Sequence, residues 1–237
     1  MINNPNRYTG MFRLTNAKTK LLQNVTQSHE IKFGDFLEDI ITEYLTILGY
    51  QNLDKNIGCD LDGNQLSADQ VFKDSSTYYL IEQKMRDDHD STKKRGQIDN
   101  FKKKCECLRM TYPGARIISI MWFVDESLTK NKNFYQQEME KINTLTTRAH
   151  VVYGKELFSN KLLGAMDVWN ELCNHLKENK RERSEEVLFI PDFDTSPEIE
   201  KALKRLKLEQ PRLFTKLLSN KVEYIQLRNE LFPTKFK

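Results

Sequence analysis

Nowhere do the 237 residues hold the run of about 18 apolar positions that a helix needs to cross a bilayer, so no membrane span is expected. The opening segment MINNPNRYTGMFRLTNAKTK lacks an apolar core of signal-peptide length, which sets the expectation of an intracellular, cytoplasmic protein. Cysteine is scarce: four in a chain this long do not build a disulfide framework. Cys105-Glu106-Cys107 and Cys173-Asn174-His175 carry zinc-ligand types. Both lie in segments of helical pattern, where positions i and i+2 point to different faces, so no zinc site is expected. No G-x-x-x-x-G-K-[ST] run exists, which excludes a P-loop of that form. Internal repeats are absent. Neither sign of charge dominates, because the net charge is only +3, and such a balance neither requires nor excludes a nucleic-acid partner. Whether the positive charge is clustered decides that question.

The hydrophobic class makes up 38% of the chain and charged residues 30%, enough for a real core inside a heavily charged surface. Ser28 reads as an N-cap for a helix in which Phe33, Phe36, Leu37, Ile40, Ile41, Tyr44, Leu45 and Leu48 recur at helical spacing, with Gly49 at its end. Asp60-Leu61-Asp62-Gly63-Asn64 reads as a tight turn. It lacks the Glu at the twelfth loop position that a calcium loop uses. Residues 68–73 and 77–84 read as strands joined by the polar turn Asp74-Ser75-Ser76. A highly charged stretch follows, then a helix from Gln97 to Tyr112 closed by Pro113-Gly114. Residues 116–124 (RIISIMWFV) form a nearly continuous apolar run that suits a strand buried on both faces. Residues 134–145 are expected to be helical, 150–153 a short strand, and 154–178 helical. Residues 177–186 (KENKRERSEE) read as a solvated helix end or linker. Short helices beyond it are separated by Pro211 and Asn220. The order predicts an α/β fold with a mixed central β-sheet flanked by helices over residues 1–180, and a C-terminal helical subdomain over 187–237.

Strand alternation carries the chemistry. Along residues 77–84, Glu82 and Lys84 project from one face while Gln83 points away. Charges at the end of an apolar strand are costly to bury unless paired or bound to a cation. Asp69, on the preceding strand, is brought alongside by a short hairpin. Two carboxylates and a lysine converging there suit metal-assisted phosphoryl hydrolysis. Hard oxygen ligands hold Mg²⁺, the ion lowers the pKa of a bound water, and the lysine orients that nucleophile or neutralises developing charge. The Gln83 backbone carbonyl is a candidate further ligand. An alternative is a surface salt bridge between Glu82 and Lys84, but the apolar Tyr78-Tyr79-Leu80-Ile81 run before it argues for burial.

Asp69 with Glu82-Gln83-Lys84, in this order of helix, hairpin, helix and strand, resembles the PD-(D/E)XK nuclease superfamily over roughly residues 28–160. Ser67-Ala68-Asp69 departs from the pattern in having no proline before the aspartate. The resemblance implies that Asp69, Glu82 and Lys84 are catalytic, and that Glu38 on the first long helix lies near the metal or behind its ligands. The compact length, the missing ATPase motif and the C-terminal helical piece are most similar to type II restriction endonucleases. That likeness implies cleavage of double-stranded DNA at a short specific sequence leaving 5′-phosphate ends, with Mg²⁺, a homodimer, and a companion DNA methyltransferase. Residues 84–104 contain eight Lys or Arg against four Asp. Arg86, Lys93, Lys94, Arg95 and Gln97 are therefore candidates for contacting phosphates and base edges from a loop after the catalytic strand. His89 is an alternative general base, made superfluous by metal and lysine. Two other readings remain open: a structure-specific or repair nuclease on the same fold, and a non-catalytic DNA-binding module whose acidic cluster is structural.

Overall fold

A computed structural model describes residues 1–9, 15–60, 62–85, 91–182 and 193–236. The chain forms two compact units: residues 30–177, and residues 1–29 together with 178–237.

The larger unit is a mixed α/β fold. Its five-stranded sheet has the order β1 (Gln51–Asn52), β4 (Gln70–Lys73), β5 (Thr77–Lys84), β6 (Arg116–Phe123), β7 (Thr147–Tyr153). The pairs β1–β4 and β4–β5 are antiparallel, while β5–β6 and β6–β7 are parallel. A separate two-stranded ribbon pairs β2 (Asn56–Cys59) with β3 (Gln65–Ser67). Sequence dictates each turn. Asp74 Oδ1 accepts from the Ser76 and Thr77 amides at 2.7 and 2.8 Å, folding the β4–β5 hairpin. Parallel neighbours instead need long crossovers, supplied by α3 (Ser91–Thr111) between β5 and β6 and α4 (Lys132–Ile142) between β6 and β7.

Helices cover both faces, and for that reason residues 116–123 are apolar almost throughout. On one face Leu80, Ile117 and Met121 meet Ile98, Phe101 and Leu108 of α3 and Tyr135 and Met139 of α4. On the other, Phe72, Ile81, Ile120 and Trp122 meet Ile41 and Leu45 of α2 (Ala17–Ile47), together with Phe158 and Trp169. Each fully buried Leu or Ile contributes about 1.5–3 kcal/mol to the stability of this stack.

Several boundaries differ from the sequence expectation: β4 begins at Gln70 rather than 68, α4 spans Lys132–Ile142 rather than 134–145, β7 begins at Thr147 rather than 150, and the helices shift as follows. Helix α2 begins at Ala17, so Ser28 is a helix-interior residue and not a cap. Leu21 and Leu22 explain the extension, because they pack in the core of the smaller unit. The far end behaves as expected: Gly49 takes φ 86°, its amide bonds Thr46 O at 3.0 Å, and the Tyr50 amide bonds Leu45 O at 3.0 Å. That is the left-handed stop which glycine adopts without strain. Helix α3 begins at Ser91 rather than Gln97, so Lys93, Lys94 and Arg95 are helical and not in a loop. Residues 154–158 form a 3₁₀ turn, and the following helix spans Met166–Glu182.

The smaller unit is helical. The helices α1 (Asn6–Thr9), Pro197–Glu209, Pro211–Leu217 and Val222–Leu231 join the start of α2. Ala17, Leu217, Leu227, Leu231 and Phe232 form its core, and Glu230 Oε2 accepts from the Ala17 amide at 2.6 Å. Among the described residues no helix is long and apolar enough to cross a membrane.

Candidate active site

The site lies where β5 passes from apolar to charged. Alternation sends Tyr78 and Leu80 into the α3 face and Tyr79 and Ile81 into the α2 face. Glu82 and Lys84 continue the α3 series. Gln83 continues the other, and its side chain donates to Gly34 O of α2 at 3.2 Å. Gln70 pairs with Ile81, so one further register step sets Asp69 opposite Glu82. Asp69 Oδ2 accepts from the Gln83 amide at 2.6 Å, which locks the strand ends together.

Glu82 is held by two lysines. Lys84 Nζ lies 3.1 Å from its Oε2, and Lys104 Nζ, reaching from α3, engages Oε1. Glu82 and Lys104 are 5% and 9% exposed, and they are the buried acidic and basic side chains among the described residues. Burying two charges is tolerable when each has its partner. Asp69 is less well provided for. Burial and the repulsion of Glu82 push its carboxyl up to about 6, against the opposing pull of the Gln83 amide and Lys84; Glu38 adds a further repulsion. A carboxyl whose ionisation burial and a neighbouring carboxylate oppose marks a place where added positive charge is favoured.

Glu38 is brought to the same end of the sheet by α2. Its backbone carbonyl accepts from Gln70 Nε2 at 2.6 Å and its Oε1 pairs with Lys55 Nζ at 2.5 Å. Asp69, Glu82, Gln83, Lys84 and Glu38 therefore share one region. Among the described residues no group of three His, Cys, Asp or Glu side chains is set to hold a metal ion. Two carboxylates nonetheless suit Mg²⁺, which is held by one or two of them and otherwise by waters and substrate phosphates.

The basic candidates divide. Arg86 and the alternative base His89 lie outside the described residues. Lys93 and Arg95 are exposed on the first turns of α3. Lys94 turns inward instead: it donates to Asn131 Oδ1 at 3.2 Å and sits 4.6 Å from the centre of the Phe134 ring. Gln97 Oε1 accepts from the Tyr135 hydroxyl at 2.8 Å, a contact inside the fold. The zinc-type pairs lie on two different helices, Cys105 and Cys107 on α3 and Cys173 and His175 on the helix Met166–Glu182. Asp60 forms the expected turn, accepting from the Asp62 and Asn64 amides at 3.0 and 2.8 Å.

Lys104 and Lys55 are site neighbours that the sequence reading passed over. A signal for Lys104 exists: it falls three after Phe101 and four before Leu108, on the apolar stripe of α3. A lysine on such a stripe must find a buried partner.

A mixed five-stranded sheet flanked by helices, with paired carboxylates and lysines at the strand ends, defines the class as α/β. The family model "Type II restriction endonuclease, HinfI" matches residues 1–68 and 62–180, and the second segment contains Asp69, Glu82 and Lys84. No curated protein and no solved structure matches the chain. The chain belongs to the HinfI family of type II restriction endonucleases and is thus a site-specific deoxyribonuclease acting on DNA.

Proposed function

We propose that this chain hydrolyses phosphodiester bonds of double-stranded DNA at a short specific sequence, using a divalent cation, Mg²⁺, held by Asp69 and Glu82. One observation carries the reading: Asp69 and Glu82 meet across the β4–β5 hairpin, and Asp69 resists ionisation beside its neighbour. Type II restriction endonucleases generally use a divalent metal. The Gln83 carbonyl leaves the strand on the side of its amide, which faces Asp69, and is a third ligand of the hard oxygen type. Bound there, the cation would neutralise phosphate charge and lower the pKa of a water.

The chain's own residues do the rest. Lys84, 3.1 Å from Glu82 Oε2, directs its ammonium toward the attacking water or the developing phosphate charge. Glu38, paired with Lys55, adds negative charge behind Asp69 and favours its cation-bound state. Lys93 and Arg95, exposed after the catalytic strand, supply phosphate contacts and salt-dependent affinity. A homodimer on a palindromic site, 5′-phosphate ends and a companion methyltransferase rest on the resemblance alone.

The test is a digest of unmethylated phage DNA. Discrete fragments with Mg²⁺ and none with chelator support the reading. A smear in place of bands would favour a nuclease without sequence preference, and activity surviving both chelator and Lys84→Ala would overturn it.

A further inference from the structure

Every oxygen of Glu82 is engaged by a lysine, and one of the two lysines is buried. Lys104 Nζ holds Oε1 and Lys84 Nζ holds Oε2. Asp69 Oδ2 is taken by the Gln83 amide, whereas Asp69 Oδ1 accepts no hydrogen bond among the described residues. Both lysines of the centre, Lys84 and Lys104, are bonded to Glu82 and neither to Asp69. Lys84, the more exposed of the pair at a side-chain exposure of 20% against 11%, can swing away. Lys104 cannot, because its helix face carries Phe101, Cys105 and Leu108 in the core. Withdrawing it would leave a buried ammonium without its carboxylate and Glu82 with Lys84 alone.

Resting on the reading of Asp69 and Glu82 as a divalent-cation site, we infer that Lys104 is a resident counter-cation standing in place of a second metal, so that each site holds one divalent ion. One ion joins Asp69 and Glu82 Oε2, the oxygen that the more exposed Lys84 holds. A second would have to approach the oxygen that Lys104 occupies, against the positive charge of its ammonium. Lys104 is in this sense a positioning residue. It orients Glu82 from below and sets how strongly the pair attracts a cation, without touching substrate.

Mn²⁺ titration of the full chain without DNA, followed by the loss of the free-ion electron paramagnetic resonance signal, tests this. Asp69→Asn gives the background of unrelated surface binding. The expected result is one Asp69-dependent ion per wild-type chain, bound roughly tenfold more tightly in Lys104→Gln, which keeps a hydrogen-bond donor but removes the charge. A merely structural lysine would leave affinity unchanged or weaken it. Lys104→Met serves if the glutamine variant does not fold. Two Asp69-dependent ions in the wild type, or affinity unchanged or reduced in the variant, overturns the inference on Lys104. No Asp69-dependent ion at all overturns the reading of the site itself.

Discussion

Asp60 and Asp69 lie nine positions apart, and their surroundings drive them in opposite directions. Asp60, in the β2–β3 turn, receives Lys103 at 2.7 Å and the Asn64 amide, and these bonds hold its carboxyl down at about 2. Asp69 receives a single amide and faces Glu82, and burial lifts it to about 6. The turn aspartate is saturated with donors, so its negative charge is already committed to structure. The strand-end aspartate is short of them, and its charge remains available to a cation. Residue type is shared; donor supply separates a structural carboxylate from a candidate ligand.

The largest effect should separate the two aspartates directly. Asp69→Asn should reduce DNA cleavage about 10³-fold or more, while Asp60→Asn leaves the cleavage rate within a few-fold, as read by single-turnover digestion. Next comes the support beneath the site. Leu80→Ala, in the fully buried layer two residues before Glu82, should cost about 3 kcal/mol in urea unfolding. Lys84→Ala should lower cleavage by about 10²-fold with little change in DNA binding at equilibrium. The smallest effect is the most diagnostic of environment. Asp69 has a folded value raised above its unfolded value of about 3.9. The stability it contributes is therefore present below pH 4 and lost as pH rises through about 6. Asp60, with a depressed value, contributes stability above pH 4 that is lost as pH falls toward 2. Thermal melts of the metal-free chain should show the first slope vanish in Asp69→Asn and the second in Asp60→Asn.

Much of the site was legible because strand periodicity is short-ranged. Thr77–Lys84 is the strand the sequence predicts, and the place where apolar residues give way to Glu82-Gln83-Lys84 is where the charges converge. The tight turns at Asp60 and Asp74 were legible for the same local reason. Contacts across the sheet were not. Lys104 lies in a run of three lysines whose charge suggests solvent, and only the position of α3 against β5 makes it Glu82's partner. Lys94 and Gln97 read as free to meet DNA until Asn131, at the start of α4, and Phe134 and Tyr135 within it are in place. The start of α2 was hidden as well. Leu21 and Leu22 lie outside the apolar series that begins at Phe33, and their role appears only with the helices of residues 197–231 in place.

The central claim is that burial and Glu82 together leave the Asp69 carboxyl short of positive charge, a shortage a divalent cation relieves. Carboxyl ¹³C resonance titration of Asp69 measures this most directly. The account predicts a midpoint near 6 in the metal-free chain, falling in Glu82→Gln and falling well below the ordinary carboxylate range once Mg²⁺ is added. A midpoint in the ordinary range that is indifferent to both changes would contradict it.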